Sequence, residues 1–274
     1  MLGSKALPVF GAAGHEIIAP GRPEADLTDG RSLENLFRHR TFDVLVNCAA
    51  FTDVDGCEDA SSYEAAMDVN ARGPGRLSRL CRETGRRLVH LSTDYVFDGS
   101  SDRPCAEDDP LRPVNAYGRT KAEGEKAVRD GGADAIIVRT SWLYGPNGRN
   151  FVRTIAGLLR SKTRIDVVDD QVGGPTYTGD LALFLLDLVE TGASGGVYHF
   201  ANEGYVSWRG FAEAIRGLLG LSCEIVPVPS DRVPRKAKRP RSSRFDLSKA
   251  RAVSRRPLRP WDAALADYLK EDRV

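Results

Sequence analysis

A chain of 274 residues is long enough to bury a substantial core, either as one large domain or as a large domain with a smaller companion. Its 41% hydrophobic and 28% charged residues and net charge of +1 are those of an ordinary globular protein, with no global field that would select nucleic acid. The 5 cysteines include no C-x-x-C pair, so neither a zinc site nor a disulfide framework is indicated; no signal peptide or bilayer-length apolar run appears, and a reducing cytosol fits.

In chain order, Leu2 to Ala13 reads as a helix, with Pro8 as a kink and Gly14 as its stop. His15 to Ala19 reads as a short strand, and a turn through Pro20, Gly21, Arg22 and Pro23 leads to a helix from Ser32 to His39, capped by Thr28 or Asp29. Phe42 to Val46 is a strand apolar enough to be covered on both faces, and small residues follow it in Asn47-Cys48-Ala49-Ala50. A long helix from Ser61 to Thr84 is interrupted near Gly73-Pro74-Gly75 and ended by Gly85; the strand Arg87 to Leu91 comes next. After a loop, a helix carries Tyr117 and Lys121, and Ala135 to Arg139 is another strand. Such alternation specifies a doubly wound parallel α/β sheet.

The remainder alternates less regularly. Helices are expected at Asn150 to Ser161, Asp180 to Val189, Trp208 to Leu219, Asp246 to Ala250 and Trp261 to Lys270, and strands at Arg164 to Val168, Gly196 to Phe200 and Glu224 to Val228. Between them, Asp169 to Thr176 is a glycine-rich turn, and Arg232 to Arg244 gathers 7 basic residues and 2 prolines, a solvated loop that in an enzyme could meet phosphates. His90 and His199 lie in strand-like runs and read as packed core histidines.

The chemistry concentrates in Ser92-Thr93-Asp94-Tyr95-Val96-Phe97 and in Tyr117-x-x-x-Lys121. Residues four apart share one helix face, so Tyr117 and Lys121 can reach one pocket. A phenol alone is a poor acid or base at neutral pH; a neighbouring ammonium favours the phenolate and is expected to pull the Tyr117 pKa down. Tyr117 would then be the acid, Lys121 its tuner, and the Thr93 hydroxyl a second donor to the same oxygen or to a carbonyl substrate. A lone Tyr-x-x-x-Lys is a weak signal; its place one loop after an apolar strand ending in Ser-Thr-Asp is what gives it weight.

These motifs resemble the extended short-chain dehydrogenase/reductases, and within them the dTDP-4-dehydrorhamnose reductase family. The likeness runs through Asn47 to Asp55, Val69-Asn70, Ser92 to Phe97, Tyr117-x-x-x-Lys121, Arg139-Thr140-Ser141-Trp142, Asp170-Gln171-x-Gly173-x-Pro175-Thr176, Tyr198-His199 and Arg239-Pro240. It implies a Rossmann-like domain over 1–140, a smaller α/β substrate-binding part over 141–274 with segments returning to the first, and NAD(P)H-dependent reduction of the 4-keto group of a dTDP-linked 6-deoxyhexose, giving dTDP-L-rhamnose or a close relative.

On the same resemblance Thr93, Tyr117 and Lys121 are catalytic, Lys121 also holding the nicotinamide ribose. Gly3, Arg22, Asp26, Leu27, Ala49, Ala50 and Phe51 border the cofactor. Thr93 and Asp94 contact the substrate, Trp142 lines the sugar pocket, and Arg239 faces the pyrophosphate or solvent. Gly21 and Arg22 stand where an acidic residue usually binds the adenosine ribose, and an Arg there can pair with a 2′-phosphate, which favours NADPH over NADH. A homodimer and a Mg2+-dependent contact occur in part of the family, but no residues are assigned to them. The implied setting is cytoplasmic, with a nucleotide-sugar substrate and neither nucleic acid nor membrane as partner.

The departure lies at the start. Met1-Leu2-Gly3 matches the last three positions of the family's G-x-x-G-x-x-G turn, so Gly3 alone of its glycines is present, and the strand before it is not. The expectation is a natural chain roughly ten residues longer, a strand and a turn; otherwise rearrangement or a partner closes the gap. Two other functions stay open: a non-catalytic NADP-binding regulatory subunit on the same scaffold, and a reductase or epimerase for another nucleotide sugar.

Overall fold

In a computed structural model, which describes residues 1–271, the centre is a parallel sheet of β1 (Val44–Asn47), β2 (Arg87–Thr93), β3 (Ala135–Thr140) and β8 (Gly196–Phe200), in that order. Residues 272–274, the tail of the part expected over 141–274, lie outside the described residues. Registers such as Val46 with Val89, Val89 with Ile136 and Ile136 with Gly196 keep the carboxyl ends of all four strands on one side.

Helices cover both faces, which makes the architecture a doubly wound, Rossmann-like α/β fold. On one face α1 (Leu2–Ala12) packs with α7 (Thr178–Glu190), burying Leu2, Ala6, Leu181 and Leu185 with Val89 and Val138. On the other, α2 (Gly30–His39) and α4 (Gly73–Thr84) bring Leu33, Phe37 and Leu77 onto Leu88 and Ile137, and α5 (Ala116–Gly131) adds Val128.

The helix that precedes α4 does not break at Gly73-Pro74-Gly75. From α3 (Ala60–Met67) the chain passes through a π-helical stretch, Asp68–Arg72, directly into α4; Pro74, which has no amide to donate, sits where the wider bonding of that stretch, with Gly73 N donating to Asp68 O, gives way to α-helix. Pro8 likewise lies inside α1, which runs unbroken from Leu2 to Ala12.

A second core gathers Ile155, Leu159, Ile165, Val167, Phe211, Ile215, Ile225 and Leu265. It is formed by α6 (Phe151–Ser161), α8 (Trp208–Leu218) and α10 (Trp261–Glu271) around the parallel pair β5 (Arg164–Val168) and β10 (Glu224–Val228). Short strands link it to the first core: β4 (Leu143–Tyr144) with β7 (Thr176–Tyr177), and β6 (Val172–Gly173) between β9 (Val206–Ser207) and β11 (Ser242–Ser243). The glycine-rich turn is thus partly strand. α9 (Ser248–Val253) packs on β8, so the chain after residue 141 contributes to both cores.

One expected element is absent: His15 to Ala19 is unpaired coil, with Ile17 and Ile18 38% and 37% exposed. A strand exists by its ladder, and among the described residues nothing pairs with this segment or with the outer edge of β1.

Candidate active site

The carboxyl end of β2 delivers Thr93 and Asp94, both buried. Thr93 Oγ1 donates to Asp94 Oδ1 at 3.0 Å, and Ser243 of β11 donates to the other carboxylate oxygen. Burial raises the Asp94 carboxyl from the usual carboxylate range to about 6, against the pull of those two hydroxyls.

Tyr117 enters from the first turn of α5. Asn115 caps that helix, its side chain accepting from Gly118 N at 2.7 Å, and Glu58 accepts from Ala116 N at 2.8 Å. Gly118 permits the approach: a Cβ there would lie 2.2 Å from the Tyr95 carbonyl oxygen. The Tyr117 ring is half-buried and edge-on to Tyr95 at 5.7 Å. Its pKa corrects the expectation. Burial, and after it the Asp94 charge, push the phenol far above its ordinary value, while the Thr93 hydroxyl beside its oxygen pulls the other way. Lys121 does not lower it, because that side chain is turned to the strand: Nζ donates to Leu91 O at 2.6 Å. Burial also brings the Lys121 ammonium down to about 8, and the Glu125 carboxylate opposes the shift.

Behind this pair lies a polar layer that the site assignment from sequence omitted. Glu125, fully buried, accepts from Ser92 Oγ at 2.6 Å and from Arg139 Nε and Nη2 at 2.8 Å each. Arg139 Nη1 donates to His199 Nε2 at 3.2 Å, so the His199 proton is on Nδ1, facing Cys105 O at 3.1 Å; burial and then Arg139 depress His199 to about 3 and keep it neutral. Asn47 receives Ala49 N on its amide oxygen and donates to His90 Nδ1, which leaves the His90 proton on Nε2. Both histidines are core residues, as expected. Asn70, in the π-helical stretch, accepts from Phe51 N at 2.9 Å and donates to Phe51 O and Thr120 Oγ1 at 3.0 Å, clamping the loop after β1 to α5. Its place beside Val69 was noticed in the sequence; its clamping role depends on residues 19 and 50 positions away.

The rim is built from later segments. Trp142, in left-handed backbone geometry (φ 47°), stacks on Trp208 at 3.4 Å and lies against Gly173, where a Cβ would come within 2.6 Å of its ring. The basic stretch folds back as a strap: Arg239 pairs with Asp55 at 2.9 Å and lies over the Tyr95 ring, Lys236 pairs with Asp59, and Asn115 donates to Lys238 O. Asp55 is held below the usual carboxylate range, burial being outweighed by the Ala237 amide and Arg239.

The residues expected to border a dinucleotide fall into three groups. Ala49 and Ala50 are exposed just past the carboxyl end of β1, and Phe51 is partly exposed beside them. Gly3, in the first turn of α1, lies next to them, a Cβ there being 3.9 Å from Cys48 Cβ. A helix N-terminus beside a strand end with only methyl groups in the way is a fitting place for a flat, phosphate-bearing cofactor. Asp26 and Arg22 are bonded to each other at 3.1 Å; the Asp26 carboxyl is lowered chiefly by the Thr28 amide. The Leu27 side chain instead is buried against α4. Among the described residues no three His, Cys, Asp or Glu side chains gather to hold a metal, and no helix is long and apolar enough to cross a membrane.

The chain is similar to known proteins over nearly its whole length. The family model described as RmlD substrate binding domain matches residues 1–274. A dTDP-4-dehydrorhamnose reductase of Mycobacterium tuberculosis is 43% identical over 276 aligned positions, covering 98% of this chain and 89% of that one. The crystal structure of a dTDP-4-dehydrorhamnose reductase from Clostridium acetobutylicum superposes with a TM-score of 0.95 at 35% identity, covering 100% of this chain and 96% of that one. The enzyme of the same name from Bacillus anthracis, solved in complex with NADP, gives 0.94 at 31% identity, covering 98% and 95%.

Proposed function

This chain belongs to the RmlD family of dTDP-4-dehydrorhamnose reductases, and from that premise we propose how its own residues carry out the reduction. The protein is an oxidoreductase that reduces the keto group of a dTDP-linked sugar with NADPH. The observation that carries the mechanism is the meeting of Thr93, Asp94 and Tyr117 at the carboxyl end of β2, with Lys121 one helical turn behind.

NADPH supplies a hydride to the carbonyl carbon of the sugar. Tyr117 transfers its phenolic proton to the carbonyl oxygen as that oxygen becomes a hydroxyl. A phenol with a strongly raised pKa is fully protonated through the neutral range, which is the form a proton donor to a ketone requires. Thr93 Oγ1, which donates to Asp94 in the free protein, turns to donate to the same oxygen, and Ser243 remains the donor to Asp94. The cofactor is held along Gly3, Ala49, Ala50, Phe51, Asp26 and Lys121, with Arg22 directed to a 2′-phosphate. Trp142 lines the sugar pocket, and Arg239 exchanges Asp55 for the substrate diphosphate. The first core, with 1–140 as its main contributor, is the dinucleotide-binding part; the second, within 141–274, is the substrate part. The product is the 6-deoxy sugar reduced at C4, dTDP-L-rhamnose or a close relative. The five unpaired cysteines suit the reducing cytoplasm.

Tyr117→Phe tests the assignment. It removes the proton donor and keeps the ring packing, so kcat should fall about 10²-fold or more with KM changed little. Undiminished turnover of a dTDP-4-ketosugar would overturn it.

A further inference from the structure

We infer that Glu125 is a positioning residue for the reaction, an internal counter-charge that keeps Lys121 protonated and aimed along β2. The inference rests on the reductase reading for its role in turnover, but the geometry is independent of it. Lys121 and Glu125 are four residues apart on α5, hence on one face, about 6 Å apart at Cβ. Both tips reach the same strand at consecutive residues: Lys121 Nζ at Leu91 O and the Glu125 carboxylate at Ser92 Oγ. Side chains at 2% and 0% exposure cannot be screened by water as surface charges are.

Four features point to a charge held for a purpose rather than a chance packing pair. Among the described residues Lys121 has no carboxylate in hydrogen-bond contact; its ammonium donates to a neutral carbonyl, so this buried charge depends on a negative charge nearby. Glu125 is fixed by four hydrogen bonds, from Ser92, from the fork of Arg139 and, at 3.5 Å, from Arg129 Nη1, so its charge cannot swing away. Arg139 is fixed in turn by Glu107 O and His199 Nε2, which ties α5 to β3 and β8. The carboxyl is kept ionised: burial would protonate it, but Arg139 and Ser92 hold it below the usual carboxylate range.

The other charged or titratable groups around Lys121 do not supply what Glu125 does. His90 of β2 is neutral, Tyr117 on the same helix is a protonated phenol, and Arg139 of β3 and the half-exposed Arg129 of α5 are themselves cations engaged by Glu125. Asp94, just past β2, bonds Thr93 and Ser243, and its raised carboxyl faces Tyr117. Glu125 is the group that opposes the burial of Lys121.

The test is a pH titration of full-length protein carrying ε-13C-labelled lysine, followed by NMR, with Lys121 assigned by the resonance lost in Lys121→Met. In the wild type Lys121 should titrate near 8. In Glu125→Gln its midpoint should fall by about one pH unit, since the shape is kept and the charge removed. Glu125→Asp, which withdraws the carboxylate by one methylene, should give a smaller fall in the same direction. Ser92→Ala, which removes one hydrogen bond and no charge, should leave the midpoint in place.

The alkaline limb of kcat/KM should move with the midpoint, whereas a merely structural role would lower thermal stability and leave both unchanged. An unchanged midpoint in folded Glu125→Gln overturns the inference; if that variant does not fold, an unchanged midpoint in Glu125→Asp overturns it. The NMR readout needs no turnover. An inactive wild type would therefore count against the reductase reading, and the order wild type above Asp above Gln would still decide this one.

Discussion

Replacing Gly124 by Ala gives a stability change whose sign follows from the contact between α5 and the π-helical stretch. In an open helix the substitution helps, because Gly is about 1 kcal/mol worse than Ala in a helix interior. At Gly124 an added Cβ would lie 2.0 Å from the Asn70 carbonyl oxygen and 3.1 Å from its carbonyl carbon. Both partners are helical backbone, so the overlap is relieved by moving one helix away from the other. Overpacking of this kind costs about 1–3 kcal/mol. Setting the propensity gain against the upper part of that range leaves a net loss of about 1–2 kcal/mol, or roughly 2–4 °C in Tm for a chain of this size. Gly157→Ala is the matched control: it lies exposed on α6 with nothing within 4 Å of the added Cβ. It should gain up to about 1 kcal/mol. Differential scanning calorimetry on the two variants and the wild type reads both signs. Should Gly124→Ala prove as stable as the wild type, the close approach of α5 to Asn70 would be wrong, and with it the clamp that Asn70 places on Phe51 and Thr120.

Two further outcomes follow from the site. Asp94 has a folded pKa raised to about 6, so the folded state keeps a proton that the unfolded chain loses; stability should fall as pH rises from about 4 to about 6 and level off above, by at most ~3 kcal/mol. Asp94→Asn lacks this dependence, and urea unfolding at pH 4.5 and pH 7 should show the variant gaining on the wild type; parallel behaviour of the two would refute the buried carboxyl. Arg239→Ala removes the cation that pairs with Asp55 at 2.9 Å and should raise KM for the dTDP-sugar about tenfold with kcat within about twofold. A fall in kcat at unchanged KM would place Arg239 in the chemistry instead of at the diphosphate.

How far the sequence could be read depended on whether a feature was local. Elements with strong period and caps, such as α2 behind Asp29 or α6 behind Asn150, came within two residues of their ends because the signals lie inside the segment. The Tyr117 and Lys121 pair was legible because one helix turn fixes their relation. The strand expected at His15 to Ala19 carried an adequate local pattern and did not form, since a ladder partner is a property of the whole sheet.

The same distinction explains why Tyr117 was assigned a lowered pKa. Spacing shows that Lys121 shares its face, but not that burial of the phenol outweighs everything else, that Nζ is taken by Leu91 O, or that Asp94, 23 residues earlier, adds its charge in the same direction as burial. Glu125 is the converse case. Its distance from Lys121 along the helix was visible, yet its meaning required Ser92 and Arg139, one from each of two strands. A charge four residues from a buried lysine is ordinary on a solvated helix; fixed by a serine and a bidentate arginine at zero exposure, it becomes part of the electrostatics of the reaction.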